Sequence, residues 1–240
     1  MKRLLLFSAL LFVASPSFSQ QITGKELLEK TIQFHDPNGN WETANLYLFI
    51  SDSSPKRKKL RTSKIYINNL ENGFRLQKEA DNLAIESGVL NDSCFAKIEG
   101  IETTNKVQEE KYRIGCERTK WTRNYYTYLY GLPMKLKDAG TIVSPKVKTT
   151  EFQGKSYLTL EVHYDSATGS DTWFFFINPK TYQMEGYKFY HNSKPDGGEY
   201  ITLEGLTEVG GMKIPKKRSW YTNKERKFLG TDDIVESAKM

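Results

Sequence analysis

The chain has 240 residues, 38% of them hydrophobic, 27% charged and 13% aromatic, with 17 Gly, 8 Pro and 2 Cys. That profile excludes collagen-like, low-complexity and disulfide-scaffold proteins. The formal net charge is +6, and a chain of this length buries roughly 70% of its unfolded surface, so a core forms without metals or many disulfides.

The first residues read as a secretory signal peptide: basic Lys2 and Arg3, an apolar run over 4–14, and Ser17 and Ser19 at the −3 and −1 positions. The run is well short of the roughly 20 residues that span a bilayer, so cleavage after Ser19 is expected, with residues 20–240 as a single domain. No Cys stands near the cleavage point, so a lipid anchor is not expected and the destination reads as the periplasm of a Gram-negative bacterium. Cleavage leaves 33 basic against 29 acidic residues, a mildly basic +4. Nucleic acid is excluded as a partner. The basic runs at Lys56, Arg57, Lys58, Lys59, Arg61 and at Lys216, Lys217, Arg218 read as solvated loops or strand ends, or as contacts for an anionic membrane surface. Cys94 and Cys116 meet an oxidising compartment, and the expectation is a disulfide. A thiol nucleophile or metal pair lacks a CxxC partner and a nearby His.

Thr23 and Glu26 form a capping box ahead of Leu27, Leu28, Thr31 and Ile32 at helical spacing, which predicts a helix over 24–34. It stops at His35-Asp36-Pro37-Asn38-Gly39-Asn40, and Trp41 is expected to start a strand. Strand-like runs follow at 41–51, 62–68, 74–78, 85–90 and 94–98, with Asn72-Gly73 and Asn91-Asp92 as tight-turn pairs. Connections this short make the sheet antiparallel. One or two helices are expected over 105–130, the second carrying Trp121, Tyr125, Tyr128, Leu129 and Leu132 on one stripe that needs cover from the sheet, and ending at Gly131 and Pro133. Strands return at 139–144, 147–153, 155–164, 171–178, 182–191, 199–208, 211–221 and 226–235. The run 173–177 is apolar on both faces and reads as covered on both sides. The fold class is therefore mainly β with a few helices: a strongly bent antiparallel sheet or incompletely closed barrel, with helices packed in the concave side.

Motifs for chemistry are sparse. His35-Asp36 offers either a general base or half a metal site, or helix capping and turn formation. The adjacent acid pairs Glu109-Glu110 and Asp232-Asp233 read as solvated faces, and Asp165, Thr168 and Asp171 lack the spacing of a calcium loop. No metal or cofactor is implied, nor any catalytic residue. The aromatic load stands out: 14 Tyr, 13 Phe and 4 Trp at a mean hydropathy of −0.60. A curved sheet bearing large apolar side chains beside an aromatic helix is a container for a hydrophobic ligand, or else a large filled core. The candidate lining is Trp121, Tyr125, Tyr128, Leu129, Leu132, Met134, Leu160, Val162, Trp173, Phe175, Ile177, Tyr187 and Phe189.

The order of signal peptide, capped helix, bent sheet and mid-chain helix resembles the LolA/LolB-like superfamily of periplasmic lipoprotein carriers. The segments His35-Asp36-Pro37-Asn38-Gly39-Asn40-Trp41, Tyr128-Leu129-Tyr130-Gly131-Leu132-Pro133-Met134-Lys135-Leu136 and 173–190 look like an uncharacterised exported bacterial family with a LolA-like fold, with His35, Asp36, Trp41, Gly131 and Pro133 as motif positions. The resemblance implies an open barrel, a helical lid and an apolar cavity that takes acyl chains in the carriers. No counterpart of the carriers' lid arginine is evident. The expected function is a non-enzymatic periplasmic binding or carrier protein for a lipid, lipoprotein acyl chain or other hydrophobic ligand. The alternatives are an envelope-associated adaptor and a hydrolase using His35 and Asp36.

Overall fold

The structure is a computed structural model that describes residues 21–240 other than 192, 193 and 195; the expected signal peptide and its cleavage point lie outside the described residues. Helix α1 (Gly24–His35) starts at the capping box, where Thr23 accepts the Glu26 N–H and donates its own to Glu26 Oε2 at 2.8 Å. It buries Leu27, Leu28, Thr31 and His35. The strand expected to start at Trp41 does not. Both Asp36 oxygens accept backbone N–H groups, from Asn40 at 2.8 Å and Trp41 at 2.9 Å, and wind residues Asn40–Thr43 into a 3₁₀ turn.

A first meander follows: β1 (Asn45–Ser53), β2 (Arg61–Asn68), β3 (Gly73–Ala80), β4 (Leu83–Leu90), β5 (Ser93–Ile98) and β6 (Ile101–Glu102). Asn91 and Asp92 take the left-handed backbone of a two-residue hairpin between Leu90 and Ser93. Asn72-Gly73 is not such a turn: Gly73 already pairs with Asn68, so the loop is four residues long and only Asn72 is left-handed. Then come α2 (Lys106–Tyr112), α3 (Cys116–Gly131) and a 3₁₀ turn (Met134–Lys137). The second meander is β7 (Thr141–Val143), β8 (Lys148–Phe152), β9 (Lys155–Tyr164), β10 (Thr172–Ile177), β11 (Met184–Tyr190), β12 (Glu199–Val209), β13 (Met212–Thr222) and β14 (Phe228–Lys239).

The two meanders form one large, unclosed antiparallel sheet in the order β6-β5-β4-β3-β2-β1-β14-β13-β12-β11-β10-β9-β7, with β8 paired to β9. The first and last strands pair at its centre, so β6 and β7 are left at opposite edges, and the chain between them must cross the sheet. That crossing is α2 and α3. A disulfide from Cys94 on β5 to Cys116 fixes the start of α3, with the Cα atoms 5.4 Å apart.

Two neighbouring α3 residues reveal the curvature. The Tyr126 ring stacks 6.2 Å from Phe74 on β3, while the Tyr128 ring lies 5.6 Å from Trp173 on β10. On a flat sheet those strands would stand roughly 33 Å apart at about 4.8 Å per spacing; the sheet therefore curls around α3. Inside the curl, one core joins α1, the end of α3 and the concave residues of both meanders. The run 173–177 is covered on both sides only from Phe175 on: Phe175 and Ile177 face that core, and Phe176 packs outside under Phe152 of β8, ring to ring at 4.0 Å, while Trp173 and Phe174 stay half-buried.

Candidate functional site

Beneath α3, one end of the concave face stays open as a cavity of about 870 Å³. Strand alternation sets its floor: Trp173, Tyr187, Phe189, Ile201 and Trp220 stand on the inner face of β10 to β13, and Tyr164 ends β9. Trp121, Tyr125, Tyr128 and Leu129 of α3 form its roof. The Trp173 and Phe189 rings stack at 4.5 Å, and the Trp121 and Tyr125 rings stack at 5.3 Å. Tyr128 and Tyr164 share a hydroxyl hydrogen bond of 2.7 Å, and burial pushes the Tyr164 phenol up to about 12 and Tyr128 well above its usual range. Both remain neutral. The Tyr187 hydroxyl, fully enclosed, has no hydrogen-bond partner among the described residues.

Of the candidate lining residues, Trp121, Tyr125, Tyr128, Leu129, Trp173, Tyr187 and Phe189 border this cavity. Leu132, Met134, Leu160, Val162, Phe175 and Ile177 do not; they are buried in the packed core, where α1 and the 3₁₀ turn after α3 fill the curl. The helical stripe is covered unevenly, since Leu129 and Leu132 are buried whereas Trp121 and Tyr125 remain exposed at the rim.

Charged side chains form a row across β13, β14, β1 and β2, from which Asp52 and Asp232 line the cavity. Arg218 pairs in register with Asp232, Asp232 with Asp52, and Asp52 with Arg61. Asp52 also accepts from Arg57, and Arg61 Nε reaches it at 2.6 Å. Burial pushes the Asp232 carboxyl up, against the pull of Arg218, Arg61 and Arg57. Arg218 is 1% exposed; it donates to the Leu129 carbonyl at 3.2 Å and lies 4.3 Å from the Tyr130 ring, which ties α3 to the sheet. The basic run at Lys216 is thus not simply solvated. Alternation counted back from Trp220 puts Arg218 on the inner face, a signal masked by its two lysine neighbours. Asp232 likewise leaves the solvated acid pair to line the cavity, and Tyr164, Ile201 and Trp220 are further lining residues that the sequence reading did not single out.

The His35-Asp36 pair does no proton chemistry here. His35 Nδ1 donates to the Lys213 carbonyl at 2.6 Å and Nε2 accepts the Met184 N–H at 3.1 Å. Burial, first, and nearby Arg218 and Lys213 lower its pKa to about 4, so the ring is neutral with both nitrogens committed. Asp36 is spent on the turn that seats Trp41. A Cβ on Gly131 would fall 2.3 Å from the Trp41 ring, so only glycine lets the end of α3 approach it. Of the motif positions, His35, Asp36, Trp41 and Gly131 form a structural clasp at the packed end, and Pro133 is buried just after α3, accepting the Leu136 N–H. Asp165 holds its own loop by accepting the Thr168 N–H at 2.9 Å.

A family model described as a family of unknown function, DUF6503, matches residues 1–237. The chain belongs to it. A crystal structure of a LolA superfamily protein from Nitrosomonas europaea aligns with this DUF6503 chain at TM-score 0.52 and 12% identity, over 90% of this chain and 93% of that one. A DUF1329 family protein from Desulfovibrio piger aligns at TM-score 0.52 and 8% identity, over 91% and 94%. The DUF6503 chain therefore has a LolA-like fold, and at such identities the likeness is one of fold. None of the curated proteins matches it in sequence. No helix among the described residues is long and apolar enough to cross a membrane.

Proposed function

We propose that this DUF6503 protein is a non-enzymatic periplasmic binding or carrier protein for a lipid, a lipoprotein acyl chain or another hydrophobic ligand, held beneath α3. The observation that carries the reading is the cavity of about 870 Å³, which falls in the size range of small-molecule sites and sets the aromatic side chains Trp121, Tyr125, Tyr128, Trp173, Phe189 and Trp220 beside polar and charged ones such as Asp52, Arg57 and Asp232. The LolA-like fold supports it, since the resemblance to the carriers implies a cavity for acyl chains. Each buried methylene contributes about 0.8 kcal/mol, so a long chain binds with little polar help. Arg57, in the basic β1–β2 loop, lines the cavity; the exposed Lys56, Lys58 and Lys59 of that loop favour approach to an anionic membrane surface by about 1 kcal/mol each.

The test is native mass spectrometry with organic extraction on protein purified without detergent from its exported compartment. Wild type is compared with Trp173→Ala and Phe189→Ala, both of which border the cavity. The expected result is co-purifying lipid in wild type and its loss in the variants. An apo mass that stays apo when lipids are added rejects the carrier reading.

A further inference from the structure

Next to the aromatic cavity, and sharing its Trp121, Tyr125 and Asp232 walls, lies a second hollow of about 340 Å³ between β2, β3 and the start of α3. Beside its aromatic walls it gathers four cations and one carboxylate. Arg61 and Lys78 rise from the inner faces of β2 and β3, while Arg113 and Arg118 come down from the α2–α3 junction. We infer that this niche holds the anionic headgroup, a carboxylate or phosphate, of an amphiphile whose hydrocarbon lies in the aromatic cavity. The inference rests on the proposed function and names its ligand class.

The charge balance carries the argument. Among the described residues Arg61 is bonded to a carboxylate, Asp52, which Arg57 shares. Asp232 on the common wall feels Arg218, Arg61 and Arg57 together, so a single carboxylate faces more cations than it can balance. Lys78 donates to the Tyr112 carbonyl at 2.9 Å, and Arg118 lies over the Trp121 ring at 4.0 Å. Neither contact supplies an anion, and Arg113 has no carboxylate partner among the described residues. Burial and then the adjacent Arg61, Arg113 and Arg118 draw the Lys78 ammonium below the usual lysine range. Arg61 and Arg113 are exposed and Lys78 and Arg118 half-buried, and like charges gathered this closely repel one another unless a counter-anion joins them. An oxyanion placed among them accepts charge-assisted hydrogen bonds from several donors at once.

The experiment is calorimetric titration of the delipidated full-length protein with hexadecanoate, with hexadecanol and with inorganic phosphate. Wild type, Arg113→Gln/Arg118→Gln and Lys78→Gln are compared. The inference predicts that wild type binds hexadecanoate at least tenfold more tightly than hexadecanol. That advantage vanishes in the double variant and shrinks in Lys78→Gln, while hexadecanol affinity stays within twofold and reports that the variants are folded. Equal affinity for the two chains in wild type overturns the headgroup niche and leaves the cavity reading standing. Binding of neither chain overturns both. Phosphate binding as tightly as hexadecanoate, and lost in the double variant, would assign the niche to a free oxyanion and overturn the amphiphile.

Discussion

The two ends of the concave face are built from the same strands and have opposite fates. At one end Phe175, Ile177, Leu160 and Met184 meet Leu27 and Leu28 of α1 and are sealed. At the other, Trp173 lies two residues before Phe175 and points to the same face, yet it borders a cavity. The side chains are equally large and apolar in both places. What differs is the cover: α1 fills one end, whereas α3 crosses the other and roofs it without filling it. The cavity is thus set by where the helices land.

Truncation at each end gives the largest contrast. Phe175→Ala should cost about 3–5 kcal/mol in denaturant unfolding, because it opens a void in a fully packed site. Trp173→Ala should cost roughly 1–2 kcal/mol, since the cavity already meets one side of its ring, and it should abolish lipid co-purification. Equal costs would erase the distinction between the ends.

The clasp at the packed end has a pH signature. An unfolded histidine takes up its proton near the ordinary 6.5, while folded His35 resists to about 4. Between those values the unfolded state binds more protons, so stability falls as pH drops through that window, by about 3 kcal/mol in all. Comparing unfolding midpoints at pH 7 and pH 4.5 for wild type and His35→Gln isolates this contribution from that of the carboxylates: the variant should have the shallower dependence. At the open end, the Cys94–Cys116 bond anchors the start of the roof, and Cys94→Ser/Cys116→Ser should lower stability by roughly 3 kcal/mol on the chain-entropy account of loop closure. Hydrogen exchange should then rise first in α3 and leave α1 protected. The smallest effect is expected for Lys58→Ala, exposed on the β1–β2 loop, which should change stability by no more than about 0.5 kcal/mol.

Much of the architecture was legible because it is local. Period-two alternation and left-handed pairs such as Asn91-Asp92 mark strands and hairpins within a few residues of themselves. The capping box at Thr23 is equally local. The division between core and cavity was not legible, because Phe175 and Trp173 look alike until α1 is docked from far along the chain. Trp41 was misplaced in a strand for a related reason: Asp36, five residues back, captures its N–H and imposes a turn. Arg218 was hidden by composition, since a run of basic residues reads as solvent-facing even where one member alternates inward to hold α3.

The protein's tryptophans offer the most direct test, since Trp41 lies in the clasp, Trp173 and Trp220 line the cavity and Trp121 stands at its rim. Two single-tryptophan proteins, one retaining Trp41 and the other Trp173, with phenylalanine elsewhere, would be titrated with a fatty acid carrying a nitroxide quencher on its chain. The account predicts saturable quenching of Trp173 at a fatty acid concentration that leaves Trp41 bright. Equal quenching of both, or none of Trp173, would contradict it.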